Sequence, residues 1–203
     1  MRRDKSAPPS TVADLAILGR VLDEHRPRLV AAVRRRLDPA LATRIDPEEV
    51  VHEAFLVARR RWPGYREAEA VSAYAWLYRL ARDCLIEAWR RETRGRRDVH
   101  RDLPWPEASS VQLGLGLLSP GTSPSAAAAR EELRERMRQA LDLLRESDRE
   151  ILWMRHYDDL TFPEAAMVLG ITENTAAVRY VRALRRLKEL WQRLYPRGGP
   201  DHE

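Results

Sequence analysis

From Thr11 to about Arg94, and again from Ala126 to about Tyr195, apolar residues recur at spacings of three and four. No segment alternates as a half-buried strand would. The stretch between them, DLPWPEASSVQLGLGLLSPGTSPSAAAA, is rich in Pro, Gly and Ser, a composition that favours a tether over a packed element. The expected fold class is therefore all-α, with two small helical domains joined by a flexible linker. The expected divisions are a tail over 1–10, a first domain over 11–97, a linker over 98–129, a second domain over 130–195 and a tail over 196–203.

Helix starts are marked by side chains able to cap them. Asp46-Pro47-Glu48-Glu49 places a capping Asp, a Pro at the first helical position and a Glu at the third. The helix it opens is expected to end at Pro63-Gly64, with Val50, Val51, Ala54, Phe55 and Ala58 on its buried face. Ser72 is placed to cap the next helix, whose buried stripe is Trp76, Leu77, Leu80, Ala81, Cys84 and Ala88. Arg79, Arg82, Asp83, Glu87, Arg90 and Arg91 fall on its other faces.

In the second half, Ser147-Asp148-Arg149-Glu150 and Thr161-Phe162-Pro163-Glu164 both read as capping boxes. Gly170-Ile171-Thr172 then turns the chain, with Thr172 as the next cap, into a long basic helix. A short helix, a glycine turn and a longer helix make a helix-turn-helix, whose second helix enters the DNA major groove. Leu160, Ala165, Leu169, Ile171, Ala176, Tyr180, Ala183 and Leu187 are the expected core. Glu173, Asn174, Thr175, Ala177 and Val178 face outward near the helix start, followed by Arg179, Arg182, Arg185 and Arg186. An ordinary helical hairpin would fit the periodicity too; the arginine stripe, suited to phosphate contacts, argues against it.

Composition narrows the partner and excludes several chemistries. The 203 residues carry a net charge of +5, and the pI of about 9.8 favours a polyanion, nucleic acid before a membrane surface. Cys84 stands alone, so neither an intrachain disulfide nor a multi-cysteine zinc site can form. The histidines at 25, 52, 100, 156 and 202 are scattered, and neither a metal nor any other cofactor is expected. GLGLLS lacks the strand, third glycine and Lys-Ser/Thr of a nucleotide loop. No nucleophile has an evident base, so no catalytic residues and no enzyme are expected. The N-terminus has no sustained apolar stretch and no run approaches a membrane span, which points to a cytoplasmic protein.

Trp62, Tyr65, Tyr74, Tyr78 and Trp89 interleave with Arg59, Arg60, Arg61, Arg66, Arg79, Arg82, Arg90 and Arg91. Such a surface suits unstacked bases, which stack on rings while guanidinium groups meet the backbone. The alternative is that the rings are core.

The ordered set of motifs resembles bacterial RNA polymerase sigma factors of the sigma-70 class, specifically the small extracytoplasmic-function (ECF) group. DPEEVVHEAFLVARRRWPGY is similar to regions 2.1–2.2, AYAWLYRLARDCLIEAWRR to regions 2.3–2.4, and ALDLLRESDREILWMRHYDDLTFPEAAMVLGITENTAAVRYVRALRRL to region 4. The likeness spans about residues 11–95 and 130–192. Departures from the family pattern are His52 for Gln, Glu49 for Asp, Asp83 for Asn, Glu87 for Asp, and Ala176-Ala177-Val178 for Val-Lys-Ser.

The resemblance implies function and sites together. A sigma factor binds core RNA polymerase, recognises the −10 and −35 promoter elements and directs initiation, including promoter melting. Glu49, His52, Glu53 and Leu56 would meet the β′ clamp helices of core polymerase, whose β flap is a further implied contact. Arg61, Tyr65, Arg66, Tyr74, Trp76, Arg79, Arg82, Asp83, Glu87, Arg90 and Arg91 would meet −10 DNA. A base flipped there must offset an unstacking cost of roughly a few kcal/mol. Thr172, Glu173, Asn174, Thr175, Ala177, Val178, Arg179, Arg182, Arg185 and Arg186 would meet the −35 duplex. Promoter DNA and core polymerase are thus the implied partners, and an anti-sigma factor is a further one. A free-standing helix-turn-helix regulator, acting without polymerase, is the alternative. The basic, aromatic first block argues against it, since a ligand-sensing domain would need an apolar pocket.

Overall fold

The computed structural model describes residues 12–37, 42–67, 72–92 and 127–196. The expected tail over 1–10, the expected linker over 98–129 as far as residue 126, and the expected tail over 196–203 from residue 197 onward lie outside the described residues; residues 127–129, expected in the linker, are helical. Seven α-helices and no strand are present among those described. The chain divides into two compact units, with the main boundary near residue 103 and Met167–Gly170 grouped with the first. Helices α1 (Val12–Arg35), α2 (Pro47–Glu67) and α3 (Ala73–Glu92) make the first. Helices α4 (Ala127–Asp142), α5 (Glu146–His156), α6 (Phe162–Leu169) and α7 (Glu173–Leu194) carry the helix-turn-helix half.

In the first unit each helix packs against both others. Leu29 and Val33 of α1, Val51, Ala54 and Ala58 of α2, and Leu77, Leu80 and Leu85 of α3 are buried together with Cys84. Every residue of the expected α3 stripe is buried. Asp46 caps α2 as expected, accepting the Glu48 N–H at 2.9 Å, with Glu48 and Glu49 favourably placed in the first turn. Ser72 accepts the Ala75 N–H at 3.4 Å.

The expected end of α2 at Pro63-Gly64 is corrected: the helix runs through Pro63 to Glu67. A proline removes one backbone hydrogen bond, but tertiary packing holds the following turn. Trp62 is buried, and Tyr65 stacks between it and Trp76 at centroid distances of 5.5 and 4.4 Å. At the end of α1, buried Arg36 donates to the Tyr78 hydroxyl, so a charged residue is held inside by a polar partner.

In the second unit α7 packs against α4 and α5. Met137 and Leu141 of α4, Ile151, Leu152 and Met154 of α5, and Ala176, Ala183, Leu187 and Trp191 of α7 are buried. The outer face of α4 carries Arg134–Glu131 and Arg138–Glu135 pairs at 2.7 and 2.6 Å, worth only a few tenths of a kcal/mol each. The expected capping box at Ser147 is also corrected. Helix α5 begins at Glu146, and Arg145 stands at the cap without a side-chain cap bond. Asp148, the residue that follows Ser147, is buried and turned to a partner on α7.

The Thr161–Glu164 box is present in full. Glu164 accepts the Thr161 N–H at 2.8 Å, and the Glu164 N–H reaches the Thr161 hydroxyl at 3.4 Å. Helix α6 ends in a reciprocal pair of backbone bonds, Ile171 N–H to the Ala166 carbonyl at 3.0 Å and Gly170 N–H to that of Met167 at 3.3 Å. This Schellman closure needs a left-handed residue, and Gly170 has φ +66°. Phe162 then meets Tyr180 edge to face at 5.5 Å, fixing α6 on α7.

Candidate nucleic-acid interface

Helix α7 begins on an extended Thr172, whose hydroxyl accepts the Thr175 N–H at 3.2 Å. The two threonine hydroxyls lie 2.7 Å apart. Thr172, Glu173, Asn174 and Thr175 are all exposed around this capped end, where backbone N–H groups favour an anion. Ala176, Ala183 and Leu187 bury the opposite face. Arg182 and Arg185 are exposed, and Ala177 and Arg179 are half-buried.

Arg186 differs from its neighbours. It pairs with the buried carboxylate of Asp148, so it holds α7 to α5 while its own side chain stays partly exposed. Conversely, Val181 is exposed on the outer face beside Val178. Val181 is not among the outward-facing residues expected from the sequence, although 174, 178, 181 and 185 share one face by spacing.

At the rear of the motif, His156 Nε2 lies 3.1 Å from the Tyr180 hydroxyl. Burial of the ring, then the nearby Arg155 charge, holds the His156 pKa below its usual value, with Asp159 opposing.

In the first unit, α3 turns Arg79 and Arg82 to a half-buried rim and exposes Asp83, Glu87, Arg90 and Arg91. Arg61 is exposed on α2 and Tyr65 is half-buried, its pKa raised by burial. The Arg66 side chain lies outside the described residues. Tyr74 and Trp76 are corrected as surface candidates. Tyr74 is 2% exposed, edge-on to His25 and covered by the Arg28 guanidinium at 3.7 Å. Trp76 is buried beneath Tyr65.

Glu49, His52 and Leu56 are exposed along one face of α2, with Glu53 half-buried between them. Arg91 donates to both Glu53 carboxylate oxygens, at 3.1 and 3.3 Å. Two residues expected in separate sites therefore meet, and they join the α2 face to the end of α3. Among the described residues no helix is long and apolar enough to cross a membrane, and no group of three or more His, Cys, Asp or Glu is placed to hold a metal.

A capped, basic recognition helix behind a short helix and a glycine turn defines a DNA-binding helix-turn-helix protein with a separate three-helix unit. The family models agree on both halves: Sigma-70 region 2 matches residues 21–95, and Sigma-70, region 4 matches residues 134–187. The chain is 30% identical over 142 residues to the ECF RNA polymerase sigma-E factor of Escherichia coli K12, covering 68% of this chain and 70% of that protein. It is 28% identical over 188 residues to the ECF RNA polymerase sigma factor SigD of Mycobacterium bovis, covering 93% and 83%. A solved structure of CnrH in complex with the cytosolic domain of CnrY is similar with a TM-score of 0.48 and 21% identity, over 88% of this chain and 90% of that one. The protein belongs to the ECF group of sigma-70 family sigma factors. It directs RNA polymerase to promoters as a non-enzymatic initiation factor.

Proposed function

We propose that the two units divide the promoter, over domain boundaries near 11–97 and 130–195. The second unit reads the −35 element as duplex through Thr172, Glu173, Asn174, Thr175, Ala177, Val178, Arg179, Arg182 and Arg185. The first unit engages −10 DNA and its melted strand through Arg61, Tyr65, Arg79, Arg82, Asp83, Glu87 and Arg90. Its α2 face, with Glu49, His52, Glu53 and Leu56, docks on the β′ clamp helices, and the second unit meets the β flap. This places the protein in the cytoplasm with the polymerase. An anti-sigma factor that covers these faces would hold the chain inactive.

The observation that carries this reading is the polarity of α7. A capped N-terminus with exposed Thr172, Asn174 and Thr175 leads into exposed Arg182 and Arg185, while the opposite face is buried. Hydroxyl, amide and guanidinium groups match base edges and phosphates.

Run-off transcription with purified core polymerase tests the division. Arg179→Ala and Arg182→Ala are expected to weaken initiation from templates that depend on the upstream element, while pull-down of core is retained. Equal loss of core association, or undiminished initiation, would overturn the assignment.

A further inference from the structure

Asn174, Val178, Val181 and Arg185 follow one another at spacings of four, three and four, which puts them within about 60° on the helix. They form the ridge of α7 opposite its buried face. Val178 and Val181, in the middle, are 40% and 54% exposed. A β-branched residue is a poor choice for an exposed helix position, where Arg, Lys, Gln or Ala would form helix more readily. About half of each valine is left open to solvent, where that choice gains nothing from packing.

The flanks say what kind of surface the ridge meets. Asn174 stands at one end and Arg185 at the other, and Arg179 and Arg182 run along one side. Guanidinium groups in that arrangement suit phosphates and would press the ridge toward base edges. The apolar feature that a major groove offers is the thymine C5-methyl group. A valine cannot replace the water on a base edge that carries only donors and acceptors, so it disfavours those bases.

We infer that Val178 and Val181 read thymine methyl groups within the upstream element, while Asn174 and Arg185 supply the polar contacts on either side. This rests on the reading that α7 enters the major groove, and it adds Val181 to the recognition set. The departure from the family's Val-Lys-Ser at Ala176-Ala177-Val178 then has a consequence: an apolar readout replaces a polar one.

The test uses holoenzyme assembled from this chain and core polymerase. Upstream sequences are selected from a randomised duplex, and each selected thymine is then replaced by deoxyuridine, which lacks only the methyl. Each contacted methyl is expected to be worth about fourfold in binding. Val178→Ala and Val181→Ala are each expected to abolish the deoxyuridine effect at one position, with no loss of melting temperature, since alanine forms helix more readily than valine. Undiminished binding to every deoxyuridine duplex, or equal sensitivity in both variants, overturns the inference. An upstream preference without methyl dependence sinks this inference and leaves the −35 reading standing; no upstream preference sinks both. If the valine variants bind DNA like the parent but lose a protein partner, the ridge is a protein-docking surface and the inference fails.

Discussion

Arg186 of α7 pairs with Asp148 of α5, a carboxylate whose side chain is only 5% exposed while that of the arginine is 43% exposed. Removing the two partners therefore has unequal consequences. Asp148→Asn leaves an arginine that can turn to water. Arg186→Ala strands a buried carboxylate, helped only by the first turn of α5. Arg186→Ala is expected to cost about 2 kcal/mol, below the range for a fully buried pair, and Asp148→Asn about 1 kcal/mol. Arg182→Ala and Arg185→Ala should leave stability within about 0.5 kcal/mol. Urea denaturation of the four variants checks the order, and equal costs for Arg186 and Arg185 would show that the pair does not anchor α7.

That pair also explains what could be read in advance. Caps at Asp46, Thr161 and Thr172 were legible because they use side chains within three residues of the backbone they satisfy. The box at Ser147 misled because Asp148 is claimed from 38 positions away, by a contact that local pattern does not encode. Pro63 misled for a similar reason, since stacking of Tyr65 on Trp76 outweighs a local helix breaker. The α3 stripe was legible from periodicity alone, but Tyr74 was not. Its ring is enclosed by His25 and Arg28 of α1, so its burial depends on how α1 crosses α3.

Gly170 closes α6 with φ +66°, and a Cβ added there meets no atom within 4 Å. The cost of Gly170→Ala is therefore backbone strain without a clash, about 1 kcal/mol. Gly170→Asn should cost less, because asparagine tolerates the left-handed region. Thermal melting should rank glycine above asparagine and asparagine above alanine. Alanine equal to glycine would mean that the turn relaxes out of this conformation.

Cys84 is buried on the α3 stripe, and burial first, then Glu53, Glu87 and Asp83, raise its pKa from 9.0 to about 11 against the opposing charge of Arg61. An aromatic disulfide reagent at pH 8 should label it slowly in the folded chain and at once in urea. The unfolded thiol ionises near pH 9 and the folded thiol near 11, so the stabilisation present below pH 9 is lost as pH rises toward 11. Cys84→Ala should remove that part of the alkaline slope. Burst labelling of the native chain would contradict the buried placement.

His156 titrates in the other direction. Its folded pKa lies below the ordinary 6.5, so the unfolded state binds the proton first as pH falls. The stabilisation is complete above pH 6.5 and declines as pH drops through 6.5 toward the folded value. Urea midpoints measured from pH 8 to 5 should fall over that window, and His156→Gln should flatten the fall. An unchanged slope in the variant would assign the effect to other groups.

Leu56 is 48% exposed on α2, amid Glu49, His52 and the Glu53–Arg91 pair. Leu56→Asp should cost no more than about 1 kcal/mol of folding stability, since about half of that side chain is open to solvent. If α2 is the polymerase-docking face, the same change should weaken core binding at least tenfold, the lower end of what a buried leucine contributes. Arg91→Ala separates the two roles of the neighbouring surface. The exposed pair contributes little to stability, so the variant folds normally and leaves the Glu53 carboxylate without its counter-charge. Should Arg91 belong to the −10 surface, its loss slows promoter opening with core binding intact. Should it belong to the α2 face through Glu53, core binding changes first, and the docking surface extends from α2 onto the end of α3.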